Sequence, residues 1–322
     1  MTTLQTPTEN LVFFQVVNAA GTPSLWRTNG SSEGTFMLHD NLAVDISNLI
    51  SGDVQVHFGS YTPERGYTWW RSDGSVAGTQ LLSADESEST GAQLTLLGTL
   101  GDRVIALVSR LEKAELWVSA GTAATTEKIQ QIEDASFLAT IDKPVVIADQ
   151  KLFFLMQNQD VWISDGTKTG TRRFAQFDPD RVNNTVNEFT LFQNRLFASA
   201  RGPEGAELWV SDGSAQGTRQ LIDLYPGSTE YPPSCTVLGD GNLGCSSPFV
   251  EANSSWPHSL TVQGQWLYFT TVFNQLYRTD GTIAGTHRVQ SFERFSGQMI
   301  PLQDKLLFSV VDDNHLQLWS VP

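Results

Sequence analysis

Four aspartates occupy the same position in a short phrase that recurs along the chain. The phrase reads "RSDGSVAGT", "ISDGTKTGT", "VSDGSAQGT" and "RTDGTIAGT", and it contains Asp73, Asp165, Asp212 and Asp280 respectively. Carboxylates are the side chains that hold Ca2+ or transfer protons in general acid–base catalysis. Because Ca2+ takes about six to eight oxygen ligands, one aspartate per phrase needs many neighbouring oxygens to form a site. Ca2+ binding at these turns is therefore a weaker hypothesis than a structural role for the phrase.

Two other patterns that can carry chemistry are better explained as structure. "GSSEG", residues 30–34, matches the Gly-x-Ser-x-Gly pattern of a serine nucleophile, but it aligns with the turns "GSVAG" and "GTKTG" of the recurring phrase. That pattern needs a strand-to-helix turn and a histidine partner, so Ser32 is interpreted as a turn residue. The five histidines have no metal-binding spacing: His39, His57, His258, His287 and His315. The sequence predicts no catalytic residue and no metal site other than the weak Ca2+ hypothesis.

Composition excludes some classes of partner. The chain has 322 residues, of which 40% are hydrophobic and 10% aromatic, enough for a large core. Its 35 acidic and 20 basic residues give a net charge of −15, which disfavours nucleic acids and anionic membranes. No stretch approaches the roughly 20 apolar residues of a membrane span, and the first residues lack a signal-peptide pattern.

The two cysteines bear on the compartment. Cys235 and Cys245 flank a short polar, glycine-rich segment, "SCTVLGDGNLGC". Two thiols are too few for a zinc site, so a disulfide is predicted, with two unpaired thiols as the alternative. The disulfide favours a secreted or periplasmic protein whose leader is absent from this sequence over a cytoplasmic one.

The phrase belongs to a repeat. Its aromatic anchors follow one another at steps of 44, 47, 45, 47, 68 and 42 residues. They are Trp26, Trp70, Trp117, Trp162, Trp209, Tyr277 and Trp319. Two short apolar runs precede most anchors and one follows the turn, which indicates four strands, A to D, in about 45 residues. This spacing predicts an all-β fold, a seven-bladed β-propeller of four-stranded antiparallel blades, as one domain over residues 1–322.

Both ends of the chain bear on how the ring closes. The sequence ends directly after the seventh strand C, so the last blade is predicted to have three strands. The N-terminal segment aligns as strand A of the first blade. The alternative is that residues 2–6 add the missing outer strand to the last blade.

The phrase resembles that of bacterial β-propeller repeat proteins of the "ELWxSDGTxxGT" type. The resemblance covers nearly the whole chain and implies architecture, while it says little about activity. The copy from Glu115 departs from the pattern, with Ala120 for the aspartate and Thr125 for the second glycine.

In such a ring the four aspartates lie in different blades, so they cannot converge on one ion or bond. The phrase is therefore interpreted as structural. Asp212 is expected to accept hydrogen bonds from backbone N–H groups, Gly213 and Gly217 to give the turn its backbone freedom, and Thr218 to bond back into it. Trp209 is expected to fill the wedge toward a neighbouring blade.

The 68-residue step contains the best candidate for a binding site. An insertion at about residues 223–259 adds about 20 residues and contains both cysteines. Long loops with aromatic side chains often bind ligands, so Tyr225, Tyr231, Trp256 and His258 are the predicted binding residues. The alternative is a structural role, in which a disulfide holds the insertion over the mouth of the central channel or against the rim of the propeller. An acidic segment, residues 83–90, is a weaker candidate on the same face, where the B-to-C and D-to-A connections lie.

These observations predict a non-enzymatic binding or scaffold module that recognises a protein or a glycan through its loop-rich face. One alternative is a hydrolase or lyase with carboxylates at the central channel of the propeller, although no residue pattern selects a pair. Another is a multivalent lectin with one site per blade. The sequence leaves the oligomeric state open.

Overall fold

Strands form at the apolar runs of each repeat, because these runs are rich in β-branched and aromatic residues. Turns rich in glycine, aspartate and asparagine separate one run from the next. The structure is a computed structural model. It describes residues 2–4, 11–42, 44–51, 55–62, 66–84, 93–110, 113–133, 144–156, 160–177, 186–233, 235–237, 243–245, 247–296 and 298–322.

The first three repeats each form a four-stranded sheet. Sheet 1 contains β1 (Thr2–Leu4), β2 (Val12–Val17), β3 (Pro23–Thr28) and β4 (Phe36–Asp40). Sheet 2 contains β5 (Val44–Ser51), β6 (Val56–Thr62), β7 (Gly66–Ser72) and β8 (Gln80–Ala84). Sheet 3 contains β9 (Gln93–Leu100), β10 (Arg103–Ser109), β11 (Lys113–Ser119) and β12 (Thr126–Glu133), with a 3-10 turn at Ala123–Thr125 between the last two.

The next three repeats have the same arrangement. Sheet 4 contains β13 (Val145–Ala148), β14 (Lys151–Met156), β15 (Asp160–Ser164) and β16 (Arg172–Gln176). Sheet 5 contains β17 (Val186–Phe192), β18 (Arg195–Gly202), β19 (Gly205–Ser211) and β20 (Arg219–Ile222). Sheet 6 contains β25 (His258–Gln263), β26 (Trp266–Thr270), β27 (Gln275–Thr279) and β28 (His287–Ser291).

Four short strands lie between sheets 5 and 6 in the chain: β21 (Ser228–Tyr231), β22 (Cys235–Val237), β23 (Leu243–Cys245) and β24 (Phe249–Ala252). The last repeat forms sheet 7, with β29 (Arg294–Phe295), β30 (Ile300–Leu302), β31 (Lys305–Asp312) and β32 (His315–Val321).

The strands of sheets 1 to 6 pair in chain order, and each pair with a described register is antiparallel. The predicted all-β fold class of the β-propeller type is therefore confirmed, while the number of blades stays a prediction. β1 pairs with β2, which confirms the N-terminal strand as strand A of the first sheet. The described part of the chain holds no helix with the length and apolar character that crossing a bilayer requires.

Sheet 7 matches the expectation of a final sheet with three strand positions. β29 and β30 both pair with β31, at Val311 and Leu307 respectively, so they share the place of strand A. β32 takes the place of strand C on the other side of β31. Among the described strands nothing pairs with the far edge of β32, where Leu318 is 76% exposed.

The chain divides into two compact units. Unit 1 comprises residues 1–138, 147–157 and 162–172, and unit 2 comprises residues 139–146, 158–161 and 173–322. The prediction of one domain stays a prediction.

Within each unit, hydrophobic clusters join successive sheets face to face. In unit 1, Phe13 of sheet 1 and Trp70 of sheet 2 belong to one cluster, while Trp69 of sheet 2 and Val104 of sheet 3 belong to another. Neighbouring residues on a strand point to opposite faces, so sheet 2 packs on both of its faces. In unit 2, sheets 5 and 6 share one such core, and sheets 6 and 7 share another.

Candidate functional site

The recurring turn closes on itself through hydrogen bonds. Asp212 Oδ1 accepts hydrogen bonds from the Ser214 amide at 2.9 Å and the Ser214 hydroxyl at 2.6 Å. The Gly217 amide donates to Ser214 Oγ at 2.9 Å, and the Thr218 hydroxyl donates to the Ser214 carbonyl at 2.7 Å. A Cβ at Gly217 would lie 2.0 Å from Asp212 Oδ1, so a larger residue here would displace the Asp212 carboxylate from the turn.

The other three aspartates make the same contacts. Asp73, Asp165 and Asp280 each accept from the amide and the hydroxyl two residues later, over 2.6 to 2.9 Å. The hydroxyl and the amide of Thr282 lower the pKa of Asp280. Across the described residues no three His, Cys, Asp or Glu side chains cluster as metal ligands. Ca2+ at these turns stays a prediction.

The aromatic anchors are also held within their own repeats. The indole N–H groups of Trp26, Trp70 and Trp319 donate to the side chain two residues earlier, at 2.9 to 3.0 Å. A register shift between strands C and D at the anchor recurs in five repeats, which marks a repeated β-bulge. The buried indole nitrogens of Trp162 and Trp209 have no hydrogen-bond partner among the described residues.

Glu207, two residues before the anchor Trp209, forms hydrogen bonds with the insertion. Glu207 is fully buried, and its carboxylate accepts hydrogen bonds from the Ser255 hydroxyl at 2.5 Å, the Ser255 amide at 2.9 Å and the Leu224 amide at 3.1 Å. Burial raises the pKa of Glu207, while these donors oppose the rise. Because Leu224 and Ser255 lie at the two ends of the insertion, one carboxylate ties both ends to β19.

The described part of the insertion forms two short antiparallel ladders, and we call their strands with the residues described between them the arm (228–233, 235–237, 243–245 and 247–252). β21 pairs with β24, from Ser228 opposite Ala252 to Tyr231 opposite Phe249. β22 pairs with β23 in the same register, because each pair of partner numbers again adds to 480. Pro232, Pro233 and Pro248 lie between the two ladders, and proline cannot donate a ladder hydrogen bond.

Cys235 and Cys245 are direct cross-strand partners in this register. Opposed residues of an antiparallel pair have Cα atoms about 4.5–5.5 Å apart, within the range that a disulfide spans. No disulfide and no free cysteine is among the described contacts, and the side chains of both cysteines lie outside the described residues. The disulfide therefore stays a prediction.

Six exposed apolar side chains lie on the insertion and on an adjoining turn. Tyr231 stacks on Phe249 at a centroid distance of 4.8 Å, and Tyr225 contacts Phe273 of the β26–β27 turn at 4.6 Å. We call this surface the arm patch, and its members are 42 to 63% exposed. They are Tyr225, Tyr231, Phe249, Val250, Val272 and Phe273.

The arm lies against the B-to-C turns of its own unit. Arg201, at the end of β18, forms an ion pair with Glu251. The Val272 amide of the β26–β27 turn donates to the Ser255 carbonyl at 3.1 Å. The arm therefore occupies the side of sheets 5 and 6 that carries these connections, where the sequence predicts the variable loops.

The four predicted binding residues divide into two pairs. Tyr225 and Tyr231 belong to the arm patch. Trp256 is half-buried with a φ of 47°, and its amide donates to the Ala206 carbonyl at 3.0 Å. His258 is exposed, with Nδ1 3.0 Å from the Trp256 carbonyl oxygen.

Sequence reasoning missed Phe249, Val250, Val272 and Phe273. A usable signal was the mirror spacing of Tyr231 and Phe249 about the same centre as the two cysteines. In the acidic candidate segment, residues 85–90 lie outside the described residues, and Ser83 is half-buried at the end of β8.

No protein-family model matches the chain, and no curated protein matches its sequence. Similar solved structures include Sqt1 from Saccharomyces cerevisiae, with 10% identity, a TM-score of 0.45 and coverage of 98% of this chain and 91% of that one. An oligogalacturonate lyase in complex with manganese has 11% identity, a TM-score of 0.43 and coverage of 98% and 87%. BamB from Moraxella catarrhalis has 12% identity, a TM-score of 0.36 and coverage of 98% and 93%. At these values the similarities carry no conclusion about activity or partners.

Proposed function

We propose that this chain is a non-enzymatic binding module that docks a partner protein on the arm patch. The observation that carries the proposal is the patch itself, six large apolar side chains that are 42 to 63% exposed. Four of the six are aromatic and form two ring pairs, and aromatic side chains supply much of the binding energy at interfaces. Tyr225 and Tyr231 are its predicted contact residues.

Contacts within the chain anchor the base of the arm in the absence of a partner. The Glu207 carboxylate fixes both of its ends, and Arg201 fixes Glu251 near its base. A surface that is already ordered loses less conformational entropy on binding than a mobile loop does.

Charge favours one kind of partner. Residues 223–259 contain Asp223, Glu230, Asp240 and Glu251 but no lysine or arginine, within a chain of net charge −15. The partner that fits is a protein with an apolar centre and a basic rim, because opposite charges speed encounter and like charges oppose it. A second copy of this acidic chain fits less well, because its net charge has the same sign.

The compartment and the lineage belong to the same proposal. We place the protein outside the cytoplasm on the basis of the predicted Cys235–Cys245 disulfide. Its repeat phrase supports a relationship to bacterial β-propeller repeat proteins of the "ELWxSDGTxxGT" type.

Site-specific photocrosslinking in the native host tests the proposal. A photoreactive phenylalanine analogue replaces Phe249 of the arm patch in one variant. In the control it replaces Val76, a 59% exposed residue in the turn between β7 and β8. Adducts are separated under denaturing conditions and identified by mass spectrometry.

The proposal expects an adduct with a different protein from position 249 and none with that protein from position 76. Adducts with a second copy of this chain, or the same adducts from both positions, contradict it. The absence of any protein adduct from position 249 contradicts it as well.

A further inference from the structure

A cavity of about 180 Å³ lies between sheets 2 and 3, within unit 1. Three aromatic side chains line it: Tyr67 and Trp69 from β7, and Trp117 from β11. Leu94 and Val108 add aliphatic surface. Pockets that enclose drug-sized ligands measure about 300–1,000 Å³, so this cavity has the size for a smaller ligand of about one six-membered ring.

The polar lining of the cavity combines an acceptor with donors. The buried Glu115 carboxylate accepts hydrogen bonds from Lys128 Nζ at 3.0 Å and Trp117 Nε1 at 3.3 Å. Arg110 lies 3.8 Å from the same carboxylate and, like Ser83, lines the cavity. Packing and ion pairing thus hold a carboxylate and a guanidinium side by side next to aromatic walls.

A second carboxylate in the same protein shows which hydrogen-bond donors can bind at this position of the repeat. Glu115 and Glu207 occupy the same position of the repeat, the first letter of "ELWVS". At Glu207 the arm supplies the donors, namely a serine hydroxyl and two backbone amides. At Glu115 the donors are Lys128 Nζ and Trp117 Nε1, and the carboxylate also adjoins a cavity with room for a ligand hydroxyl.

We propose that the cavity binds a neutral sugar ring. The C–H face of a pyranose is apolar and can stack on the indole and phenol rings of Trp117, Trp69 and Tyr67. Each sugar hydroxyl both donates and accepts, which matches an acceptor at Glu115 beside the donors of Arg110. A cationic ligand fits less well, because Lys128 and Arg110 already lie beside the Glu115 carboxylate.

This site is separate from the arm patch, which belongs to unit 2. The proposal therefore goes beyond protein docking, and either proposal can fail without the other. The sugar can be a free monosaccharide or the terminal residue of a glycan, since both present the same ring.

Titration of the full chain with defined sugars tests the proposal. The probes are glucose, galactose, mannose, fucose and N-acetylglucosamine, with glucuronate as an acidic control and choline as a cationic one. Binding is followed by saturation-transfer NMR and by tryptophan fluorescence, to which Trp69 and Trp117 contribute among the nine tryptophans of the chain. A glycan array then distinguishes a free sugar from a terminal one.

The proposal expects saturable binding of at least one neutral sugar. Tyr67→Ala and Arg110→Gln each change a wall residue of the cavity and are expected to weaken binding about tenfold or more. Tyr67→Phe keeps the ring and is expected to retain binding, as is Phe249→Ser on the arm. Thermal melting confirms that each variant folds.

Three results overturn the proposal. One is the absence of saturable binding by every neutral sugar at millimolar concentrations. Another is unchanged affinity in folded Tyr67→Ala and Arg110→Gln. The third is tighter binding of glucuronate or choline than of any neutral sugar.

Discussion

At the residue scale, a buried histidine in sheet 2 makes the free energy of unfolding depend on pH. His57 is 1% exposed, and burial together with the nearby Arg71 guanidinium lowers its pKa from 6.5 to about 4. As the pH falls from 6.5 to 4, the unfolded chain binds a proton that the folded protein does not, so the free energy of unfolding falls across this window. Below pH 4 this group adds no further loss.

We predict that His57→Leu removes this part of the pH dependence. Between pH 7.5 and 4.5 the wild type should lose about 2–3 kcal/mol more unfolding free energy than the variant. Urea unfolding of both proteins at the two pH values measures the difference, and the carboxylates common to both cancel in it. Equal losses in the two proteins would show that His57 is protonated in the fold.

At the element scale, the arm depends on how its two short ladders are joined. The shared register places Cys235 opposite Cys245 beyond three prolines that interrupt the pairing. We predict a disulfide here, so mass spectrometry after alkylation without reductant should find neither cysteine modified. Alkylation of both thiols in the untreated protein would contradict this.

Replacing both cysteines by serine should loosen the arm and leave its base in place. A cross-link that closes a loop of about ten residues stabilises a hairpin by about 2–3 kcal/mol in the chain-entropy model. Amide hydrogen exchange is therefore expected to rise in β22 and β23, while β19 keeps its protection. Uniform exchange in wild type and variant would show that the bond does not order the arm.

The sequence predicts the sheets well because each repeat contains the residues that define its own strands and turn. Trp209 marks strand C, and Asp212 with Gly217 marks the turn that follows, so strand order can be read without tertiary information. The arm was predicted only as an insertion, because the exposed "STEY" of β21 has no burial pattern. The cavity was not predicted, because Tyr67 and Glu115 come from different repeats and meet only through the packing of two sheets.

At the scale of the whole molecule, a repetitive scaffold carries two unlike surfaces. The arm patch belongs to unit 2, and the cavity with Glu115 belongs to unit 1. The same repeat position carries a carboxylate in both places, at Glu207 and Glu115. Divergence between repeats thus gives the chain separate candidate sites for a basic, apolar-faced protein and for a neutral sugar.

The most direct test of the central claim is the dissociation constant of the purified crosslinked partner for wild type and two double variants, measured by titration calorimetry. Tyr231→Ala with Phe249→Ala changes the arm patch, while Leu316→Ser with Leu318→Ser changes exposed apolar residues on β32. The arm variant should bind at least about tenfold more weakly, since loss of interface anchors costs over about 1.4 kcal/mol, and the β32 variant should bind as the wild type does. Equal dissociation constants for the wild type and the arm variant would contradict docking on the arm patch.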